Sequence, residues 1–483
     1  MSERTKRYVY TGPDDYHGFV GQVLTYLGYT RHEDGPPMAD VRIDENADGA
    51  ALTCSFRDEA GRERRFEPQR FTRKSELKEL LLSRYREGTG AAASVWGVLT
   101  GVRPTKLVHR LFDEGVPADE AVHRLQRCYG VAPDTAAELV AVAAVQRPYV
   151  LETKKKTALY IGIPYCSSHC LYCSFPSRLI GAETVSRLHD FVAAVTADLE
   201  AVTRLAAEAG LEIGSVYVGG GTPTSLPVDA LAPILKAVEP LVGPGTEWTV
   251  EAGRPDTATD AKLALLRRSG VTRISINPQT MQQRLLDTLS RRHSVADIYA
   301  MFAQCRKLGF PIINMDFIAG LPGQTVADMA SNMEAVCQLR PENVTIHTLA
   351  LKKGAPLFRH PLRAEIPSEK TVEEMLALTR TGLAELTYTP YYLYRQQYMA
   401  AAFANVGYAL PKTISAYNIE MMAERQSVLG VGPGSATKFV VQGKKLEKMY
   451  MPKDIGQYIR ALPERIERRR YLCAAVYEGV NSK

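Results

Sequence analysis

The chain lacks any apolar run long enough to cross a bilayer, and its opening, Met1-Ser2-Glu3-Arg4-Thr5-Lys6-Arg7, has no apolar segment behind it. Neither stable membrane insertion nor a leader is expected, and the reading is a cytoplasmic protein. Eight cysteines in 483 residues are too sparse for a disulfide framework, and Cys54, Cys128, Cys305, Cys337 and Cys473 are scattered singly. Internal repeats and low-complexity tracts are missing. So is the Gly-Lys-Ser/Thr ending that would make a phosphate loop of Gly219-Gly220-Gly221-Thr222-Pro223-Thr224. A net charge of +6 is too small for the continuous basic stripe of a nucleic-acid binder, although it suits a polyanionic small molecule. The most basic stretch, Glu464 to Arg470, mixes two carboxylates with four guanidinium groups and reads as a solvated helix face.

What the chain does have is a concentrated triplet, Cys166, Cys170 and Cys173, directly behind the apolar run Leu159 to Ile163. Three thiolates from one loop satisfy three irons of a four-iron cubane and leave the fourth open to a small molecule. A zinc site usually takes four protein ligands, and only His169, inside the loop, is at hand for the fourth. Inert thiols are the third reading. Ligand count and spacing put the cluster first.

Residues 1–150 read as a separate α/β unit. A strand-like run at Arg7 to Tyr10 leads to a helix-like one ending near Gly28. An antiparallel pair is expected around Val41 to Ile43 and Leu52 to Phe56, then helices from Ser75 to Val145. The turn Leu99 to Lys106 offers Arg103 and Lys106 to an anion, but also reads as a helix start with Pro104 in its first turn. Lys154-Lys155-Lys156 marks a boundary. Beyond it, short apolar runs at Leu159–Ile163, Ser215–Val218, Trp248–Glu251, Arg273–Ile276, Ile312–Ile318 and Val344–Leu349 alternate with helical segments. Six such units imply a parallel sheet covered by helices, either open or a partial barrel, with its chemistry at the carboxyl ends of the strands, in a core of residues 151–365. Residues 366–483 are expected to form a mostly helical cap over the mouth, including the aromatic run Tyr388 to Tyr394 and the turn Gly430 to Gly434.

Several polar groups fall at those carboxyl ends. The Gly219 to Thr224 turn exposes backbone amides and the Thr222 hydroxyl, and alone it is equally a tight strand-to-helix turn. Glu251, Asn277-Pro278-Gln279 and Asn314-Met315-Asp316 end or lie within successive strands and suit ribose hydroxyls and a cationic sulfonium, although each singly reads as a cap or turn residue. Arg291 offers a planar fork to a carboxylate. His293 and His347 read more simply as hydrogen-bonded structural histidines.

Taken together, Tyr160 to Cys173, Gly219 to Thr224, Glu251, Pro278-Gln279, Arg291, Asn314 to Gly323 and Ala350 resemble the oxygen-independent coproporphyrinogen III dehydrogenases of the radical S-adenosylmethionine (SAM) enzymes. The longer form with an extra amino-terminal domain, found in Gram-positive bacteria, is the best match. The resemblance implies a partial (β/α)6 barrel with a [4Fe-4S] cluster on Cys166, Cys170 and Cys173. It also implies SAM sites lined by Tyr160, Tyr172, Gly220, Gly221, Thr222, Glu251, Gln279, Arg291, Asp316 and Ala350. By the same analogy a 5'-deoxyadenosyl radical removes a hydrogen from a substrate propionate, and loss of carbon dioxide and one electron leaves a vinyl group; two rounds convert coproporphyrinogen III to protoporphyrinogen IX. The implied partners are a tetrapyrrole and an electron donor, with the protein a monomer. At two positions the chain departs from the family pattern: Gly162 replaces a His and Phe175 a fourth Cys. Haem chaperones resemble the same family and share the triplet without that fourth Cys, so a haem carrier, or radical chemistry on another substrate, stands beside the first reading.

Overall fold

The computed structural model describes residues 6–27, 29–31, 37–47, 49–58, 60–90, 95–97, 99, 101–151, 156–175, 177–395, 403–441 and 445–477. Of the residues singled out above, Met1 to Thr5, Gly28, Thr100, Lys154 and Lys155 lie outside the described residues. The chain divides into two compact units, Met1–Ala144 and Val145–Lys483.

The first unit is built on β1 (Lys6–Thr11), α1 (Asp14–Tyr26), β2 (Tyr29–Arg31), β3 (Ala39–Asn46), β4 (Gly49–Arg57), β5 (Glu63–Phe71) and α2 (Lys74–Thr89). Its sheet runs β2-β1-β3-β4-β5. The expected antiparallel pair is β3 with β4, where Val41, Ile43, Leu52, Cys54 and Phe56 face Val20, Val23 and Leu24 of α1 and Leu77 and Leu81 of α2. Strand β5 was not anticipated. Its sequence, ERRFEPQRF, buries only Phe66 and Phe71, so cross-strand bonding to β4 rather than apolar alternation makes it a strand. Helices α3 (Thr105–Asp113), α4 (Ala118–Tyr129) and α5 (Pro133–Leu151) follow, with α5 crossing the boundary between the units.

The second unit begins with β6 (Lys156–Ile163), the two-residue strands β7 (Tyr165–Cys166) and β8 (Arg178–Leu179), and α6 (Val185–Ala209). Then come β9 (Glu212–Gly220), α7 (Val228–Val238), β10 (Glu247–Gly253), α8 (Asp260–Arg268), β11 (Arg273–Gln279), α9 (Gln283–Thr288), α10 (Val295–Lys307), β12 (Ile312–Ala319), α11 (Val326–Leu339) and β13 (Asn343–Thr348). The strands β6, β9, β10, β11, β12 and β13 pair in that order, all parallel, as the alternation of apolar runs and helices requires. Their outward residues, among them Leu159, Val216, Trp248, Ile274 and Ile313, form one core with α6 to α11.

Residues 366–483, expected as a mostly helical cap, hold strands as well as helices. Besides α12 (Glu369–Glu385), they form β14 (Thr389–Tyr394), β15 (Asn405–Ala409), α13 (Ala416–Ala423), β16 (Ser427–Val431), β17 (Ala436–Val441), β18 (Lys445–Tyr450) and α14 (Ile455–Tyr477). All five strands extend the same sheet, in the order β14-β15-β13-β12-β11-β10-β9-β6-β16-β17-β18, which is a partial barrel, open rather than closed on itself. Within the aromatic run, Thr389 to Tyr394 is strand because aromatic side chains fit a pleated, half-buried surface. Helix α13 lies at the amino ends of the strands, opposite the mouth: Glu247, the first residue of β10, accepts from Ser415 Oγ at 2.7 Å and from the Ala416 amide at 2.8 Å. Arg273, first in β11, donates to the Thr413 carbonyl at 2.9 Å and to Asn343.

Helix α14 is tied to this sheet by a buried ion pair. Arg469 Nη1 donates to Asp198 Oδ1 of α6 at 2.8 Å, with both side chains at most 1% exposed. Arg469 Nη2 reaches the Gly430 carbonyl at 2.8 Å, and Tyr458 donates to the same aspartate at 2.8 Å. Removing one partner strands a charge in the core. Arg469→Met is therefore expected to lower stability by about 3–5 kcal/mol, read as a fall in the urea midpoint at unchanged slope; a loss under about 1 kcal/mol would contradict this role.

Candidate functional site

The chain leaves β6 at Ile163 and turns through Pro164 into β7, which pairs with β8 and presents Cys166 at its end. Cys170 and Cys173 sit on the following turn, closed by the Cys173 amide donating to the Cys170 carbonyl at 3.1 Å. Backbone bonds from Leu171 to Leu289 (3.2 Å) and from Leu357 to Leu171 (2.9 Å) fasten the loop at two more points. On its other side runs the glycine turn that ends β9. The Gly221 amide donates to the Ile163 carbonyl at 2.7 Å and the Thr222 amide to the Tyr165 carbonyl at 2.6 Å. A Cβ on Gly221 would stand 2.4 Å from the Tyr165 carbonyl oxygen, so only glycine permits this approach.

These segments enclose a cavity of about 100 Å³ lined by the three cysteines, Tyr172, Gly221, Thr222, Glu251, Arg254, Asn277, Gln279 and Arg291, among others. The remaining four residues implied by the family resemblance are not in its lining. Gly220 directly precedes Gly221. Tyr160 lies in the barrel interior, stacked on Tyr217 with ring centroids 6.4 Å apart. Asp316 is one hydrogen bond removed, accepting from Asn277 Nδ2 at 3.0 Å and Asn314 Nδ2 at 2.7 Å. Ala350 follows the end of β13. Two strand irregularities aim side chains inward: the register of β10 shifts between Glu251 and Gly253, and that of β11 between Ile276 and Gln279, where Gln279 adopts φ of 70°. His293 packs against Asp256, with Nδ1 3.5 Å from its carboxylate, and His347 Nε2 stands 3.6 Å from Asp316.

The cysteine sulfurs meet different donors. Cys166 Sγ is 3.7 Å from the Thr222 hydroxyl. Cys170 Sγ receives Arg291 Nη1 at 3.5 Å and Arg254 Nη1 at 3.8 Å. Arg291 also donates to the Tyr172 hydroxyl at 3.1 Å and to the Asn277 carbonyl. Arg254 and Asp256 were missed in the sequence; their only signal was a charged pair placed directly after the strand that carries Glu251. Burial alone would raise the Asp256 carboxyl, but hydrogen bonds from Ser167 and Arg254, with the His293 ring close by, outweigh it and hold it below the usual range.

Deeper in the barrel, Tyr217 donates to Glu251 Oε1 at 2.5 Å and stacks on Tyr417 of α13 at 4.5 Å. Burial lifts the Glu251 carboxyl to about 7, against the Tyr217 hydrogen bond and with a further push from Asp316. The folded protein thus holds this proton up to a higher pH than the unfolded chain. The associated stability is fully present below about pH 4.5 and is lost as pH rises through about 7. Glu251→Gln keeps a neutral acceptor at this place. Its stability relative to the parent should rise between these pH values and level off above pH 7 at a gain of roughly 3 kcal/mol, measured by urea unfolding of the metal-free proteins at pH 4, 6 and 8. A pH-independent difference would refute the shift.

The donor set fits a cubane cluster with one open iron. Three cysteines of one loop line one cavity, and three thiolates bond three irons of a cubane. The buried Arg291 Nε has no hydrogen-bond partner beside the cavity, and burial pushes the Cys173 thiol up, so a metal must displace its proton.

Comparisons with known proteins show the family. The model of the Radical SAM superfamily matches residues 160–336. The oxygen-independent coproporphyrinogen-III oxidase-like protein HemZ of Bacillus subtilis is 34% identical over 370 residues, covering 75% of this chain and 74% of its own. The haem chaperone HemW of the same organism is 28% identical over 229 residues, 46% of this chain and 59% of its own. The coproporphyrinogen III oxidase HemN from Escherichia coli shares the fold, with a TM-score of 0.52 at 20% identity over 69% of this chain and 79% of that one. Superfamily members use a [4Fe-4S] cluster and SAM. The loop cysteines, the glycine turn against them and the extent of the HemZ match together place the chain in the radical SAM superfamily, within the coproporphyrinogen-III oxidase-like family to which HemZ belongs.

Proposed function

We propose that the chain is a radical SAM enzyme that oxidatively decarboxylates two propionates of coproporphyrinogen III, giving protoporphyrinogen IX. The observation that carries the radical chemistry is the single cavity in which three cysteines of one loop face the backbone of Gly221 and Thr222 and the side chains of Glu251, Gln279 and Arg291. When bound, a reduced [4Fe-4S] cluster with SAM on its open iron supplies a 5'-deoxyadenosyl radical. Cys166, Cys170 and Cys173 hold the three closed irons. The Gly220 to Thr222 turn and the Thr222 hydroxyl receive the amino-acid end of SAM, while Glu251, Gln279, Arg291 and, through Asn277, Asp316 orient the rest. Tyr160, Tyr217 and Tyr417 fill the barrel beneath this site and α13 covers its amino end, which limits water to the carboxyl mouth.

The substrate class is supported by the likeness to HemZ over three quarters of both chains. A second reading, a haem carrier, is favoured by Phe175. Where the family has a fourth Cys, this ring is 63% exposed with Lys352 Nζ 5.8 Å from its centroid, an apolar face beside a cation that suits the flat ring and a propionate of haem. Anaerobic reconstitution with iron and sulfide, followed by SAM, reductant and coproporphyrinogen III, tests the proposal. Vinyl products with 5'-deoxyadenosine are expected from the parent, with both products lost from Cys170→Ser. SAM cleavage without decarboxylation would point to another substrate, and tight haem binding and transfer without turnover to the carrier.

A further inference from the structure

We propose that Arg254 is a positioning residue that sets the reduction potential of the cluster through Cys170, with Asp256 as its counterweight. The inference rests on the reading that Cys166, Cys170 and Cys173 hold a [4Fe-4S] cluster. Arg254 follows β10 and its side chain is 4% exposed. Its guanidinium is held in one orientation by four contacts. Nε and Nη2 meet the two Asp256 oxygens at 3.0 and 3.1 Å, and Nη1 donates to the Ser168 carbonyl at 3.2 Å and to Cys170 Sγ at 3.8 Å. Asp256 is fixed in turn by Ser167 Oγ at 2.7 Å, and the buried His293 packs against it with Nδ1 3.5 Å away. The pair is thus a dipole whose buried positive end points at one cluster sulfur and whose more exposed negative end points away.

The three sulfurs are not equivalent in this respect. Among the described residues Cys170 takes two guanidinium groups, from Arg254 and Arg291, whereas Cys166 meets the neutral Thr222 hydroxyl. Reduction adds one negative charge to the cluster, so a cation hydrogen-bonded to its sulfur stabilises the reduced state and raises the potential. Asp256 offsets part of this effect. Arg254 and Asp256 should therefore act in opposite directions, a signature that a merely structural pair would not produce.

The test compares the reconstituted full-length parent with Arg254→Met, Arg254→Lys and Asp256→Asn by iron and sulfide content and by redox titration followed by electron paramagnetic resonance. Arg254→Met should lower the midpoint by the equivalent of about tenfold in the reduced-to-oxidised ratio, about 59 mV for a one-electron couple. Asp256→Asn should raise it, and Arg254→Lys, which keeps the charge without the fork, should fall between the parent and Arg254→Met. Coincident midpoints, or shifts of Arg254→Met and Asp256→Asn in the same direction, would overturn the proposal. Should Arg254→Met fail to hold iron, the lysine and asparagine variants decide by the same criterion. A parent that takes up no cluster would refute the cluster reading itself, an outcome distinct from a loaded parent whose potential ignores these residues.

Discussion

Two backbone segments touch where a side chain on either would keep them apart. The amides of Gly221 and Thr222 bond to the carbonyls of Ile163 and Tyr165, and the space between them has no room for a β-carbon. This contact joins the end of β9 to the start of the cysteine loop and sets the height of that loop above the sheet. Cys166 then meets Thr222, and Cys170 meets the arginines that follow β10 and α9. Close packing of main chain thus fixes a site whose chemistry belongs to side chains and bound groups.

Polarity is divided between the two ends of the barrel. At the amino end Glu247, Arg273 and Asn343 are used up in binding the segment that leads into α13. Tyr417 from that helix enters the interior and stacks on Tyr217, so the lower barrel is filled by aromatic rings. At the carboxyl end polar groups face open space. The same asymmetry appears in Glu251, which is tied to Tyr217 below and borders the cavity above. A carboxyl in that position is neutral or charged according to what occupies the cavity, because burial favours the neutral state and a cationic ligand the charged one.

Much of the core was legible because its signals are local. Six apolar runs became six parallel strands within a few residues of their expected limits, since runs buried on both faces must be continuously apolar. The cysteine triplet and Gly-Gly-Gly-Thr-Pro were equally plain, each being a short segment with few structural alternatives. What escaped depends on distant partners. Tyr388 to Tyr394 reads as an aromatic lid until β15 is there to pair with it, and the charged β5 is a strand only beside β4. Arg254 and Asp256 look like ordinary loop charges, and Cys170, more than eighty residues earlier, gives them a role. Tyr417 reads as one more helix tyrosine, because nothing local says that its helix plugs a barrel.

The parallel pairing of β16 with β6 bears on how the protein is made. Ser427 to Val431 lies against Thr157 to Ile161, the strand that leads into the cysteine loop, and Gly432 and Pro433 pack onto Gly162 where the family pattern has a His. During synthesis β6 therefore keeps one unpaired edge while some 270 further residues are added. The strand beneath the cysteines is completed by nearly the last part of the second unit to leave the ribosome. Metal loading before that moment would act on a half-built wall, so the order of translation itself favours a late, post-folding insertion of iron and sulfide.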